Sequence, residues 1–157
     1  PGSLVWGEWA EIDWEAAEWR IPGYKMKNNK PHIVPLARQV LELLENLRKY
    51  TGEGQYLFPS WGKSGHLSTN SLLKAIHAAG YGSKEFTSHG FRHMAVTLLK
   101  ELSFPHDVIY LQLSHTLERD AAKAAYDKAQ LLPQRKEMMQ SYADYLDGLR
   151  EKAKQYA

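Results

Sequence analysis

Ala17-Glu18-Trp19-Arg20-Ile21-Pro22-Gly23 is the stretch on which the fold turns, with Glu11-Ile12-Asp13-Trp14 before it and His32-Ile33-Val34-Pro35-Leu36 after it. In the first two runs apolar and polar side chains alternate, which is the period of a half-buried strand. Pro22-Gly23 ends the central run. The third is reached through a polar segment from Tyr24 to Lys30 that holds Lys25, Lys27, Asn28, Asn29 and Lys30. Residues 10–36 are therefore predicted to form a small three-stranded antiparallel sheet with a basic hairpin between its second and third strands.

The pattern beyond this sheet is helical. Val40, Leu41, Leu44 and Leu47 stand at helical spacing between Ala37 and Tyr50, and Gly52 stops the run. A loop from Gly54 to Gly65 follows. Ser68-Thr69-Asn70 can cap a helix reaching Ala79, closed by Gly80. Thr87-Ser88 introduces a helix from His89 to about Leu102, and Pro105 suits the start of another reaching Leu113. Glu118 to Gln130 is Ala-rich and helix-prone. Pro133 is read as a break before a last amphipathic helix from Gln134, with Met138, Tyr142, Tyr145 and Leu149 on one side. The expected class is α+β and mostly α, with the sheet near the start.

A chain of 157 residues fits one domain, residues 1–157, with about 133–157 as a C-terminal tail helix. The 43% apolar and 24% charged content is ordinary for a globular protein. No apolar run approaches the ~18 residues of a membrane span, so no membrane partner is expected. The chain has no cysteine, which excludes disulfides and thiolate metal sites. The net charge is +2 and the pI 8.8, below the ~9 that would by itself flag a nucleic-acid binder. A DNA-binding reading must rest on where the charges lie. The opening Pro1-Gly2-Ser3-Leu4 carries no initiator methionine and reads as the start of a piece of a longer protein.

His89-Gly90-Phe91-Arg92 places a histidine and an arginine three apart, on one helix face, at an expected helix start. Free backbone N–H groups and the helix dipole favour an anion there. An arginine fork suits two phosphate oxygens. Taken alone, so short a pattern is more simply read as a surface histidine and a solvated arginine. Leu113-Ser114-His115 alone is a helix-end histidine, and Ala124-Ala125-Tyr126 alone is a packed aromatic.

Order and company change that weighing. Trp9-Ala10-Glu11-Ile12-Asp13, Met26-Lys27, His32-Ile33-Val34-Pro35-Leu36, Phe58-Pro59, Ser88-His89-Gly90-Phe91-Arg92, Leu113-Ser114-His115 and Ala124-Ala125-Tyr126 follow one another along the chain. Over about residues 1–147 this series resembles the C-terminal catalytic domain of the tyrosine recombinase (phage integrase) family. The likeness is closest to prophage and genomic-island integrases.

The resemblance implies the tyrosine recombinase catalytic fold and site-specific DNA recombination without metal or other cofactor. Tyr126 would attack a DNA phosphodiester, giving a 3′-phosphotyrosyl link and a free 5′-hydroxyl. Arg92 would clamp the phosphate, His89 would assist by hydrogen bonding or proton transfer, and His115 would donate to a non-bridging oxygen. Lys27 would protonate the leaving 5′-oxygen, with Lys25 and Lys30 as rivals because the hairpin register is not fixed by sequence. Lys25, Lys30 and Arg38 are the expected DNA-binding cations. The implied partner is double-stranded DNA carrying attachment sites, in the bacterial cytoplasm. Full-length protomers would form a homo-tetramer on it, and this fragment alone a monomer.

Two departures stand out. A further family arginine would precede Pro1, and Ser3 stands where an acidic residue is usual. These leave open a non-catalytic DNA-binding fragment that keeps the fold, and a related type IB topoisomerase-like strand transferase. His89 and His93, spaced i, i+4, raise metal-dependent hydrolysis, but Gly90 occupies the place of the glutamate in H-E-x-x-H.

Overall fold

The computed structural model of the chain describes residues 2–82, 87, 89–113 and 131–155. Its elements are α1 (Gly2–Val5), β1 (Ile12–Asp13), β2 (Glu18–Ile21), β3 (His32–Pro35), α2 (Arg38–Thr51), α3 (Thr69–Ala78), α4 (Gly90–Glu101), α5 (His106–Gln112) and α6 (Leu132–Gln155). The expected helix over 118–130 lies outside the described residues.

The three strands pair antiparallel in the order β1-β2-β3. Trp19 stands opposite Ile12 on one side and Val34 on the other. The burial in β2 does not follow the apolar–polar alternation of its sequence, since Glu18 and Ile21 are buried, Trp19 is half-buried and Arg20, on the same face as Glu18, is exposed. The first strand is shorter than the sequence suggests. Glu11 belongs instead to a 3-10 turn, Trp9–Glu11, closed by a capping box between Glu8 and Glu11. That local hydrogen bonding outcompetes strand pairing at Glu11.

Helix ends follow their sequence signals with two corrections. Ser68 occupies the N-cap of α3, yet its hydroxyl meets Ser71 Oγ and caps no backbone N–H. The last helix begins at Leu132, two residues before the expected Gln134, and so takes in Pro133. That proline sits in the first turn of α6, where a missing N–H costs nothing. Gly80 ends α3 as expected, with φ +95°, and the Gly80 and Tyr81 N–H groups return to His77 and Ile76 carbonyls. This is a Schellman closure. The end of α4 repeats it with Ser103 in the left-handed position, φ 64°, and Phe104 N–H on Leu99 O.

The core lies between α4, α5 and α6. Leu99, Val108, Ile109 and Met138 are buried together, with Val96, Phe104, Leu113, Met139 and Tyr142 around them. The first half of α6 is thus part of its own domain's interior, while Leu146 and Leu149 in its second half are exposed. A buried cation joins this core to the sheet. Arg135 on α6 donates to Gln112 Oε1 from Nε at 3.0 Å and from Nη2 at 2.8 Å, and to the Ile33 carbonyl at 2.5 Å. Burial pulls its pKa down to about 10, opposed by the charge of Glu18, so it stays cationic at neutral pH. Glu18 is itself paired with Arg20 and Lys136.

Candidate active site

The H-x-x-R segment begins α4. Thr87 Oγ1 and its carbonyl both accept from Gly90 N–H, at 3.2 and 2.9 Å, which fixes where the helix starts. His89 is the N-cap residue and is exposed, its ring edge-on to that of His93 with centroids 4.7 Å apart. Arg92, two residues into the helix, is half-buried. His89 and Arg92 line one cleft with Phe91, Met94 and the α3 residues Leu72 and Ile76. The i, i+3 spacing does bring the pair to a single opening, as the sequence implies.

Arg92 also reaches the end of α5. Its Nη2 donates to the Leu113 carbonyl at 2.6 Å. The neighbouring Gln112 carbonyl lies 3.1 Å from His32 Nε2, and the Gln112 side chain accepts from Arg135. The chain immediately before Ser114-His115 is therefore held from three directions. His115 and Tyr126 lie outside the described residues.

The basic hairpin divides its cations into two kinds. Lys25 ends the 3-10 turn Gly23–Lys25 and points inward, its side chain only 6% exposed. Its ammonium donates to Trp6 O at 2.8 Å, to Glu8 Oε1 at 2.6 Å and to Glu11 Oε1. Three acceptors take up the three donors of an ammonium. Burial pulls the Lys25 pKa down, but the hydrogen bonds and charges of Glu11 and Glu8 outweigh it, so the group titrates above the ordinary lysine range. Glu8 is held below the usual carboxylate range, chiefly by Lys25 and then by Gln55. Sequence reasoning put Lys25 among the DNA-facing cations, whereas its charge is taken up within the domain.

Lys27, two residues on, is exposed. It lies in a tight turn closed by Asn29 N–H on Met26 O at 3.0 Å, with Asn29 in the left-handed region at φ 53°. Lys30 is half-exposed, its N–H bonded to Asn28 Oδ1 at 3.2 Å. Arg38 opens α2 with its side chain exposed and paired to Glu42 one turn on, at 2.7 Å. Among the described residues no group of three or more His, Asp or Glu side chains could hold a metal ion. No described helix is long and apolar enough to cross a membrane.

The sequence reading missed the Lys25 cluster and Arg135. The Glu8-x-x-Glu11 spacing around Trp9 was the available sign of the first. Nothing local marked the second, whose partners lie on β3 and α5.

Known proteins resemble this chain along most of its length. Residues 4–129 match the model of the phage integrase family. The chain is 37% identical over 145 residues to prophage integrase IntA of Escherichia coli (strain K12), covering 92% of this chain and 35% of that protein. It is 38% identical over 165 residues to the integrase of Enterobacteria phage P4, covering 95% and 37%. The integrase of Shigella phage Sf6 is 36% identical over 142 residues, covering 89% and 36%. The chain thus spans about a third of the length of these curated relatives. No solved structure matches it.

Proposed function

The chain belongs to the phage integrase family of site-specific DNA recombinases, and on that premise we propose that it is the strand-cutting domain of a longer integrase. It breaks and rejoins attachment-site DNA through a 3′-phosphotyrosyl intermediate. The observation that carries this reading is the bond from Arg92 to the Leu113 carbonyl. It joins Arg92, which lines one cleft with His89, to Leu113, the residue before Ser114-His115 in the sequence.

The chemistry assigns each residue one task. Tyr126 Oη forms a bond to phosphorus as the P–O5′ bond breaks. The tyrosine proton passes to a base, for which His89 is suited, and the leaving 5′-oxygen takes a proton from the Lys27 ammonium. Arg92 and His115 stabilise the additional negative charge on the pentacoordinate phosphorus. The covalent link conserves the energy of the broken bond, so rejoining needs neither metal nor nucleotide. Arg92 is already anchored before DNA arrives, which lowers the cost of organising the site during the reaction.

The partner is duplex DNA in the bacterial cytoplasm, contacted mainly at its phosphates by Lys27, Lys30 and Arg38. Full-length protomers assemble on it as a tetramer, while this domain alone is a monomer. The test is a suicide DNA substrate offered to the full-length integrase. Tyr126→Phe should abolish the covalent protein–DNA product and leave binding nearly intact. Covalent product persisting in that variant would transfer the role to another residue, Tyr110 and Tyr142 being the next to examine.

A further inference from the structure

We infer that Lys25 is a positioning residue for the reaction, and that its clamp on Glu8 and Glu11 sets where the Lys27 ammonium stands. The inference rests on the proposed role of Lys27 as the acid. It starts from the contrast between two lysines two residues apart. Lys25 is buried with every ammonium donor used on Trp6 O, Glu8 and Glu11. Lys27 is exposed at the head of the turn.

Around Lys27 the backbone has little freedom. Gly23 lies so close to the returning strand that a Cβ there would fall 2.6 Å from the Asn29 carbonyl. Asn29 N–H closes the turn onto Met26 O at 3.0 Å. The Ser3 hydroxyl of α1 lies 3.9 Å from Met26 Sδ. The inward pull on Lys25 completes this base, tying the hairpin neck to residues 6–11. Glu11 is in turn fixed by Trp19 Nε1 from the middle of β2, at 2.9 Å. A hairpin of two strands has no core of its own and would otherwise sway.

A buried ion pair is a poor source of net stability, because desolvation offsets most of the attraction. What it does supply is a fixed geometry, and acid catalysis depends on geometry. An ångström of misplacement can cost on the order of 10²-fold in rate. Losing the Lys25 clamp should therefore look like a partial loss of the acid, without removing the acid itself.

The experiment compares two suicide substrates in the full-length integrase. One has the natural 5′-oxygen leaving group, and the other a bridging 5′-sulfur, which departs as a thiolate and needs no proton. The readout is the ratio of the two cleavage rates for one preparation, so a partly unfolded sample lowers both rates and leaves the ratio unchanged. Lys27→Ala should be slowed roughly 10²-fold or more on oxygen and restored on sulfur. Lys25→Met should be slowed roughly 10-fold or more on oxygen and restored on sulfur, and Lys25→Arg should recover most of the oxygen rate. Glu8→Gln, which keeps Glu11 as partner, should show the same effect in milder form.

Equal slowing of Lys25→Met and Glu8→Gln on both substrates, or no slowing of either, would overturn the inference while Lys27 remained the acid. Failure of sulfur to restore Lys27→Ala would instead remove Lys27 from its proposed role, and the inference with it.

Discussion

Arg92 and Leu113 are joined through a single bond of 2.6 Å from guanidinium to main-chain carbonyl, which ties the first turn of α4 to the last residue of the α5 cap. A lysine there would keep the charge and lose the planar fork. Arg92→Lys should therefore reduce covalent trapping of DNA by roughly 10²–10³, and cost about 1.5–3 kcal/mol of stability. Trapping and thermal melting on the same preparation separate the two. A rate loss no larger than the unfolded fraction would make Arg92 a structural tie only.

Gly80 and Ser103 occupy the same position of the same helix ending. Replacing Gly80 by alanine meets no neighbouring atom, so its cost is conformational alone. Gly80→Ala should destabilise by about 1 kcal/mol, and Ser103→Gly should stabilise by a similar amount. Denaturant unfolding of both variants checks the pair, and shifts of the same sign would contradict it.

The Lys25 cluster fixes a pH window. Glu8 titrates below its ordinary value of 4.5, so its share of stability is complete above that value and lost as pH falls through the lowered pKa. Lys25 titrates above its ordinary 10.5, so its share is complete below that value and lost as pH rises through the raised pKa. The melting-temperature gap between the natural chain and Lys25→Met should be widest between these limits and narrow outside them. A gap that stayed constant from pH 3 to 7, the span over which roughly all carboxylates titrate, would mean that charge pairing is not its source.

Met138 is fully buried among Leu99, Val108 and Ile109. Met138→Ala should cost roughly 2–5 kcal/mol, and deleting residues from Gln134 onward should unfold the α4–α5 core. Leu149→Ala, on the exposed half of the same helix, should change stability by less than about 0.5 kcal/mol. Circular dichroism melts test all three. A truncated chain that melted normally would show that α6 is dispensable to its own domain.

Arg38 is exposed and Lys30 half-exposed, whereas the Lys25 side chain is buried. Lys30→Ala and Arg38→Ala should each weaken duplex binding about equally across sequences and lower the salt slope by roughly one. Anisotropy titrations at several salt concentrations measure this. Unchanged slopes would place the DNA elsewhere.

The sheet and most helices were legible because their signals are local. The alternation around Trp19, the glycine after α3 and the proline before α5 each act within a few residues. Glu11 was misread because the strand period of residues 11–14 and the capping box of residues 8–11 compete for it, and the reciprocal Glu8–Glu11 bonds win. The start of α6 was placed two residues late because a proline after one helix looks the same as one in the first turn of the next. Only the Met26-Lys27 motif set Lys27 ahead of Lys25, and no local signal showed that Lys25 is buried. The two are cations of one charge in one hairpin, and the carboxylates of residues 8 and 11 divide them. Arg135 was hidden for a related reason, since its acceptors on Ile33 and Gln112 are distant in the chain.

That distance has a cost during synthesis. Ile33 and Arg135 are separated by 102 residues. A ribosome adding about 5–20 residues per second needs roughly 5–20 s to cover that interval. Throughout it, the nascent sheet lacks the cation that will cover the Ile33 carbonyl and face Glu18. The strands leave the ribosome well before α6 but become a finished surface only when that helix arrives. Until then their uncovered edge is what a chaperone, or another nascent chain, would meet.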